Sequence, residues 1–412
     1  MRTNYKVDNR YYKRGGILST KKKCLLLVLC LSLCWLIGAM AEGDVEEVTI
    51  TIVDSEGNVI VGEPTPAPPT PTPAPTVNIE EPVYLIDGSI ELLMTFGGDT
   101  TIGENVQSRS KSIFERELEK QDNDINFPFR NVKDIFMLDD FTMVNFEGTL
   151  TTAGRNPAKR DNDFLFRADP SYVSLLSDNG VNAVALENNH VMDMGEKGLK
   201  ETKEVLLNAK VPYASENEPA ILTIKGIKLG LLAYQTFGGR HDEIIDLLPD
   251  DIKELRDQGC DLIIINYHWG AEMEYAPNEG QIKLGRASID AGADLVIGHH
   301  SHRINPIEFY KDRYIVYSLG NLSFAGNTKP ADMSTFIFQI RVRIKNDEII
   351  RQDIKIIPSR ISSQKDYNDF AVTPYDKGEN IEAVIKVMTQ HGRKLEYAIT
   401  DYPTQWYDED DL

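Results

Sequence analysis

From residue 90 onward, short apolar runs alternate with stretches of helical spacing. The segments "IELLMTF" (90–96), "FTMVNF" (141–146), "VNAVAL" (181–186), "DLIIINY" (261–267) and "ADLVIG" (293–298) are aliphatic or β-branched. Each is bounded by Gly, Asp or Asn, as buried strands are. Between them "PSYVSLLSDNG" (170–180), "EKGLKETKEVLLNAK" (196–210), "DIKELRDQG" (251–259) and "EGQIKLGRASIDAG" (279–292) repeat their apolar residues at helical intervals. Two more stretches read as hairpins, "AILTIKGIKLGLLAY" turning at Gly226 and "IEFYKDRYIVYS" turning at Lys311-Asp312. The pattern predicts a layered α/β body with some antiparallel strands and no internal repeat.

The first 82 residues break this pattern. In "KKKCLLLVLCLSLCWLIGAMA" (21–41), three lysines precede a short apolar stretch that ends in Ala39-Met40-Ala41, the small-residue type that signal peptidase cuts. Residues 1–41 therefore read as a signal peptide. Because the apolar stretch is near the lower limit of about 17 residues for a spanning helix, a retained signal anchor is the rival reading. Either way the body is expected outside the cytoplasm, secreted or anchored to the membrane by this segment. Leu29 before Cys30 and Leu33 before Cys34 are too bulky for a lipoprotein anchor. Residues 42–82 read as a spacer: a short alternating "EVTITIVD" is followed by "EPTPAPPTPTPAPT", whose prolines hold an extended chain of about 3 Å per residue.

With 412 residues and 41% hydrophobic content, the rest can bury a sizeable core. Cys24, Cys30 and Cys34 lie in the apolar leader, so the body keeps only Cys260 and no internal disulfide. The net charge of −20 includes that basic leader, so the body is more acidic still. Such a surface repels nucleic acid and anionic lipid, which excludes DNA and RNA as expected partners. The tail "DEDDL" reads as a frayed terminus.

Candidate chemistry sits just past the apolar strands, where open α/β sheets collect ligands. Asp99 ends "MTFGGD", Asn145 and Glu147 end "MVNFEG", and Asn189 and His190 end "VALENNH". His268 ends "IINYH", and His300 and His302 end "VIGHHSH". Carboxylates, imidazoles and amide oxygens form a mixed N/O set suited to Zn²⁺, Mn²⁺ or Fe. Without a thiolate, two ions bridged by a carboxylate fit better than one structural zinc. If "HHSH" continues its strand, the period of two puts His300 and His302 on one face and His299 on the other. Glu272 in "HWGAE" is a candidate for binding an amine or orienting His268, and Asn321 in "SLGNLSF" a candidate beside the metals. Both are carried as substrate-binding candidates, whereas Trp269 reads as a packing residue.

Residues 92 to 325 resemble the poly-γ-glutamate capsule synthesis protein CapA family, of the calcineurin-like metallophosphoesterase superfamily. The resemblance runs in order through "FGGD", "NFEG", "ENNHVMDMGEKGL", "HWGAE", "GADLVIGHHSHRINPIE" and "YSLGNLSF". It implies a four-layer α/β sandwich with mixed sheets over 83–345, completed by C-terminal strands and a helix in 346–412. It also implies a dinuclear centre. Asp99 looks like the first metal-binding aspartate, and Glu147 stands in the bridging carboxylate's place with Asn145 beside it. Asn189, His268 and His300 look like ligands of the second metal and His302 of the first. His190 would be the general acid, held in one tautomer by Asp193, with His299 a spectator or a group supporting the ligands from behind. Two departures stand out: Thr101 replaces a histidine usual two residues after the first aspartate, and Glu147 replaces the usual bridging aspartate.

Two functions follow from that resemblance. The first is a metal-dependent hydrolase acting on a phosphoester or on an amide-linked anionic extracellular polymer. The second is a non-catalytic assembly or export factor for such a polymer, working with membrane-bound capsule machinery and using its metals structurally or to bind the polymer. The His190–Asp193 pair favours the hydrolase, because a structural site has no use for a proton donor.

Overall fold

Alternation along the strands decides how the sheets stack. The computed structural model describes residues 77–78, 81–107, 112–160 and 164–406. The leader, most of the spacer with its "EVTITIVD", and the acidic tail lie outside the described residues. The strands that carry the argument are β1 (Ile90–Thr101), β2 (Phe141–Phe146), β3 (Ala183–Ala185), β4 (Ile227–Gln235), β5 (Leu262–His268), β6 (Leu295–His299), β7 (Asn321–Phe324), β8 (Ser334–Lys345) and β9 (Glu348–Arg360). The helices are α1 (Gly195–Asn208), α2 (His241–Asp257), α3 (Glu279–Ala291) and α4 (Gly378–Gly392).

In β1, Leu92, Met94 and Phe96 enter a core shared with Leu229 and Leu231 of β4, Leu262 and Ile264 of β5, and Leu295 and Ile297 of β6. The intervening residues of the same strands face outward to two further cores. Val144, Phe146 and Val184 meet Leu206 of α1. Ile263, Ile265 and Val296 meet Ile244, Leu248, Ile252 and Leu255 of α2 and Leu284 and Ile289 of α3. Both faces of both sheets are thus buried, which is why these strands read as continuous apolar runs. The layers run helix, sheet, sheet, helix: the four-layer α/β sandwich expected from the resemblance.

Both sheets are mixed. Among the described residues one has the central order β8–β1–β2–β3, with β7 also on β1 and β9 on the far side of β8. The β1–β2, β2–β3 and β1–β7 pairs are parallel, and β8 is antiparallel to β1. The other carries β4–β5–β6, all parallel, with Ala220–Ile224 antiparallel to β4 and Arg313–Val316 parallel to β6, itself paired antiparallel with Ile307–Tyr310. The parallel strands of both sheets bring their carboxyl ends to the same centre.

Both expected hairpins form. Lys225-Gly226 and Lys311-Asp312 take positive φ of 48° and 81°, and 48° and 59°, the geometry of tight two-residue turns. A third hairpin, β8 with β9, turns at Asn346-Asp347 with φ of 52° and 64°. The 345/346 boundary falls at its tip, and α4 beyond it places Val384 and Met388 in the core between the sheets.

Three elements differ from expectation. "DIKELRDQG" is only the end of α2, which starts at His241 and runs through Pro249 because Ile244, Leu248, Ile252 and Leu255 form one apolar stripe across it. "PSYVSLLSDNG" is a 3₁₀ turn at Pro170–Val173 followed by the four-residue helix Ser174–Ser177. Val77–Asn78, inside the stretch read as spacer, pairs with Leu222 and Thr223 at a sheet edge. Among the described residues no helix is long and apolar enough to cross a membrane.

Candidate metal centre

Two glycines allow the strand ends to converge. The register of β1 against β2 shifts between Gly97 and Asp99, a bulge that bends the strand end. A Cβ on Gly98 would lie 1.9 Å from the Gly320 carbonyl oxygen. That same oxygen accepts the Asp99 N–H at 3.0 Å. Gly298 in β6 passes equally close to its neighbours, with a Cβ position 2.1 Å from the Tyr317 oxygen and 2.4 Å from Trp269 Nε1. Trp269 itself is fully buried, stacked on Tyr267 and donating to the Tyr317 carbonyl at 2.9 Å, as a packing residue does.

Past Gly298 the chain does not continue as a strand. β6 ends at His299, and His300 and His302 adopt left-handed φ of 91° and 54°. The two rings still share the centre, 6.0 Å apart, but a turn rather than strand alternation puts them there. The His300 N–H donates to Asp99 Oδ2 at 3.2 Å, tying the turn to β1.

Glu147 stands at the middle of the centre. It is 1% exposed, and neither of its oxygens has a hydrogen-bond partner. Its Oε1 lies 3.8 Å from Nε2 of His190, 3.8 Å from Nε2 of His268 and 4.0 Å from Nε2 of His302. These gaps exceed hydrogen bonds but approach the roughly 3.4 Å between two donors that sit about 2.1 Å from one tetrahedral ion. Ligand atoms of Glu147, His300 and His302 all fall within 4.8 Å of one another. A buried carboxylate with no donor is strongly destabilising, so the residues present fit a cation.

The other residues fall around it. Asp99, fully buried, accepts Asn145 Nδ2 at 2.7 Å and lies 3.2 Å from His302 Nδ1. His302 Nδ1 also meets Asn321 Oδ1 at 3.0 Å. Two acceptors at Nδ1 place the proton there and leave Nε2 facing Glu147. His268 Nε2 lies 2.8 Å from Asn189 Oδ1, a spacing that a proton or a shared cation can span. His190 Nδ1 meets Asp193 Oδ2 at 2.7 Å. The Thr101 hydroxyl, where the superfamily usually has histidine, is buried without a hydrogen-bond partner.

A profile of the family described as bacterial capsule synthesis protein PGA_cap matches residues 93–325, a span that holds every one of these side chains. The chain belongs to this family. The capsule biosynthesis protein CapA of Bacillus anthracis is 30% identical over 274 residues, covering 61% of this chain and 64% of the relative. The PGA biosynthesis protein CapA of Bacillus subtilis (strain 168) is 29% identical over 233 residues, covering 52% and 61%. The chain thus spans less than two thirds of either relative's length. Among solved structures, a hypothetical protein from Thermus thermophilus aligns at 15% identity with a TM-score of 0.39, over 65% of this chain and 99% of that one.

In this capsule-family centre, burial and mutual charge set the protonation of the side chains. Burial raises the Asp99 carboxyl, but the hydrogen bond and charge of His302, helped by His299 and His268, hold it below the usual carboxylate range. Burial, then the Asp99 charge, pushes Glu147 up to about 7. Burial lowers His302, yet Glu147 and Asp99 together raise it to about 9. Burial brings His299 and His300 down to about 4, and burial with the neighbouring His300 holds His268 well below 6.5.

Not every candidate points inward. Asn145 turns its amide nitrogen to Asp99 and lies 3.3 Å from His268 Nδ1, while its oxygen accepts from Asn188, so it braces two candidate ligands. His299 Nδ1 stays 3.7 Å from Asp99, and its Nε2 is 3.4 Å from Asn266 Oδ1. Glu272 is exposed on its loop, and only its charge is felt at Glu147 and His302. Asn321 sits on His302, as described.

Two residues escaped the sequence reading. Asn188 is fully buried, donates to Asn145 Oδ1 and the Phe146 carbonyl, and accepts the His190 N–H. Its place in "ENNH" was a signal, but one shared with Asn189. Lys159 reaches Asp193 Oδ1 at 2.9 Å and the Asn189 carbonyl at 2.7 Å. Nothing in its local sequence marks it.

Proposed function

We propose that the chain acts outside the cytoplasm in the synthesis of an extracellular poly-γ-glutamate capsule, as a metal-dependent hydrolase of a phosphoester or of the amide-linked polymer. The relatives named for capsule and PGA biosynthesis support the setting. The observation that carries the chemistry is Glu147, a buried carboxylate without a donor, facing the Nε2 atoms of three histidines. Asp99, Glu147 and His302 would hold one divalent ion, and Glu147, Asn189, His268 and His300 a second, Mn, Zn or Fe by their N/O chemistry. Such a pair supplies Lewis acidity for an oxyanion and an activated water near neutral pH.

The chain's own residues do the rest. Asp193 accepts the Nδ1 proton of His190, so that its Nε2 is aimed at the centre. Lys159 fixes Asp193 from the other side, and the Phe166 N–H donates to it at 2.8 Å. His190 would then give its proton to the leaving oxygen or nitrogen. Phe166 packs 4.7 Å from the His190 ring and shields it from bulk water.

His190→Ala should keep its metal and lose about 10² to 10⁴ in turnover, since a general acid works in the transition state. Asp193→Asn should lose less in the same direction. Bound metal is measured beside Mn²⁺- or Zn²⁺-supported hydrolysis of phosphodiesters and of poly-γ-glutamate. Full metal with unchanged turnover in His190→Ala would sink the hydrolase. The polymer-assembly role, in concert with membrane-bound machinery, would then stand in its place.

A further inference from the structure

Away from the metal centre, positive charge collects at a second pocket. It has a volume of about 340 Å³ and lies between the start of β8, the end of β9 and the amino end of α4. Arg360, Lys365 and Lys377 line it, against two acids, Asp332 and Glu379, with Ser334 and Tyr375. Arg360 directs its donors to the carbonyls of Ser362 and Ser363 and lies over the Tyr375 ring. Among the described residues none of the three cations is paired with a carboxylate. In a chain of net charge −20, such a convergence runs against the average surface. Lys377 caps α4 without a side-chain hydrogen bond, so the positive end of the helix adds to the same field.

A chain of contacts links the pocket to the metal centre. Asp332 accepts the Tyr275 hydroxyl at 2.6 Å and the Ser334 N–H at 2.8 Å. The Tyr275 ring lies 5.8 Å from the Arg303 guanidinium. Arg303, buried, donates to the His302 carbonyl at 2.7 Å. Arg303 has no carboxylate partner among the described residues, so one further cation lies between the pocket and the turn that carries the candidate ligands.

We infer that this pocket binds the carboxylates of an acidic polyamide, holding a neighbouring stretch of the chain whose reacting bond sits at the metal centre. The inference rests on the polymer reading of function above. The mixed lining selects the ligand class: the cations take carboxylates, while Asp332 and Glu379 can accept amide N–H groups. A phosphate dianion offers mainly acceptors and gives those two acids no N–H to accept.

The test is anisotropy of a fluorescein-labelled γ-linked glutamate decamer with the full chain at low salt. Lys365→Glu/Lys377→Glu, two exposed changes, should weaken binding at least about tenfold and flatten its salt dependence. Arg360→Gln should weaken it further, with melting temperature confirming the fold. Wild type stripped of divalent metal with EDTA should still bind the decamer, losing less affinity than the lysine double variant. No binding by wild type, or unchanged affinity in the lysine double variant, overturns the pocket. So does inorganic phosphate displacing the decamer as effectively as unlabelled decamer. Binding abolished by EDTA with the lysine double variant unchanged places the polymer at the metal centre only, overturning the pocket while leaving the hydrolase standing. Pocket binding without any metal-supported turnover supports the pocket and removes the hydrolase.

Discussion

Neighbouring residues of one kind do different work here, and burial and partners decide which. His299 and His302 are three positions apart. His302 turns Nε2 toward Glu147, whereas His299 stays 3.7 Å from Asp99 in the body of the sheet. Losing partners that only orient a ligand typically costs 10- to 100-fold in metal affinity, so His302→Ala should cost more than about 100-fold. His299→Ala should cost less than tenfold. Equilibrium dialysis with Zn²⁺ or Mn²⁺ decides between them, and equal losses would contradict these roles. Asp139 and Asp140 form a second such pair. Asp140 is bound to Lys225 at 2.6 Å, while burial pushes Asp139 up to about 7 despite hydrogen bonds from Thr142 and Thr95. In the unfolded chain Asp139 returns to near 3.8, so the unfolded state gives up this proton first as pH rises. The contribution of Asp139 is therefore complete below about pH 4 and lost by the time pH passes 7. Asp139→Asn should melt higher than wild type at pH 8 and show a flatter profile between pH 4 and 8; parallel profiles would refute the assignment.

Elements meet at the centre only because two backbones come unusually close. β1 bulges at Gly98 to let the Gly320 carbonyl pass, and that contact both carries the β7 segment and aims Asp99 inward. Gly98→Ala would force a methyl into a carbonyl oxygen at 1.9 Å, in a region packed on all sides. The expected cost exceeds about 4 kcal/mol, seen as loss of soluble protein or of metal in whatever folds. Gly154→Ala, with nothing within 4 Å of its Cβ position, is the matched control and should melt near wild type. Equal behaviour of the two would mean that the strand crossing tolerates more movement than this geometry allows.

On the scale of the whole molecule, one apolar core holds two sheets face to face and two more cover their outer sides, and the edges of that sandwich are where change is tolerated. Val77–Asn78 adds two residues at one edge. A chain starting at residue 83 should therefore still melt cooperatively, a few degrees lower, since about 1 kcal/mol moves a large domain by ~2–4 °C. Loss of cooperativity would show that residues before 83 belong to a core. Much of this architecture was legible in advance. The runs in β1, β2, β5 and β6 were readable because strands buried on both faces must be apolar throughout, and the turns at Gly226 and Lys311-Asp312 because few residue pairs suit that backbone. Pro249 hid the first half of α2, since local propensity favours a break where tertiary packing of the stripe from Ile244 to Leu255 overrides it.

By itself the sequence determined which residues could serve a metal centre, because an imidazole or carboxylate at the end of an apolar run has few other reasons to be there. It determined a layered α/β body too, through apolar strand runs alternating with helical spacing, while the four layers were implied by the resemblance. Only the tertiary structure decided how the candidates divide their work. Asn145 braces Asp99 and His268, Lys159 holds Asp193, and His300 and His302 converge through left-handed turns rather than along a strand. The reason is physical: a residue's type fixes what it can donate or accept, but its partner comes from a strand or loop far away in the chain. Which partner that is depends on the packing of the two sheets.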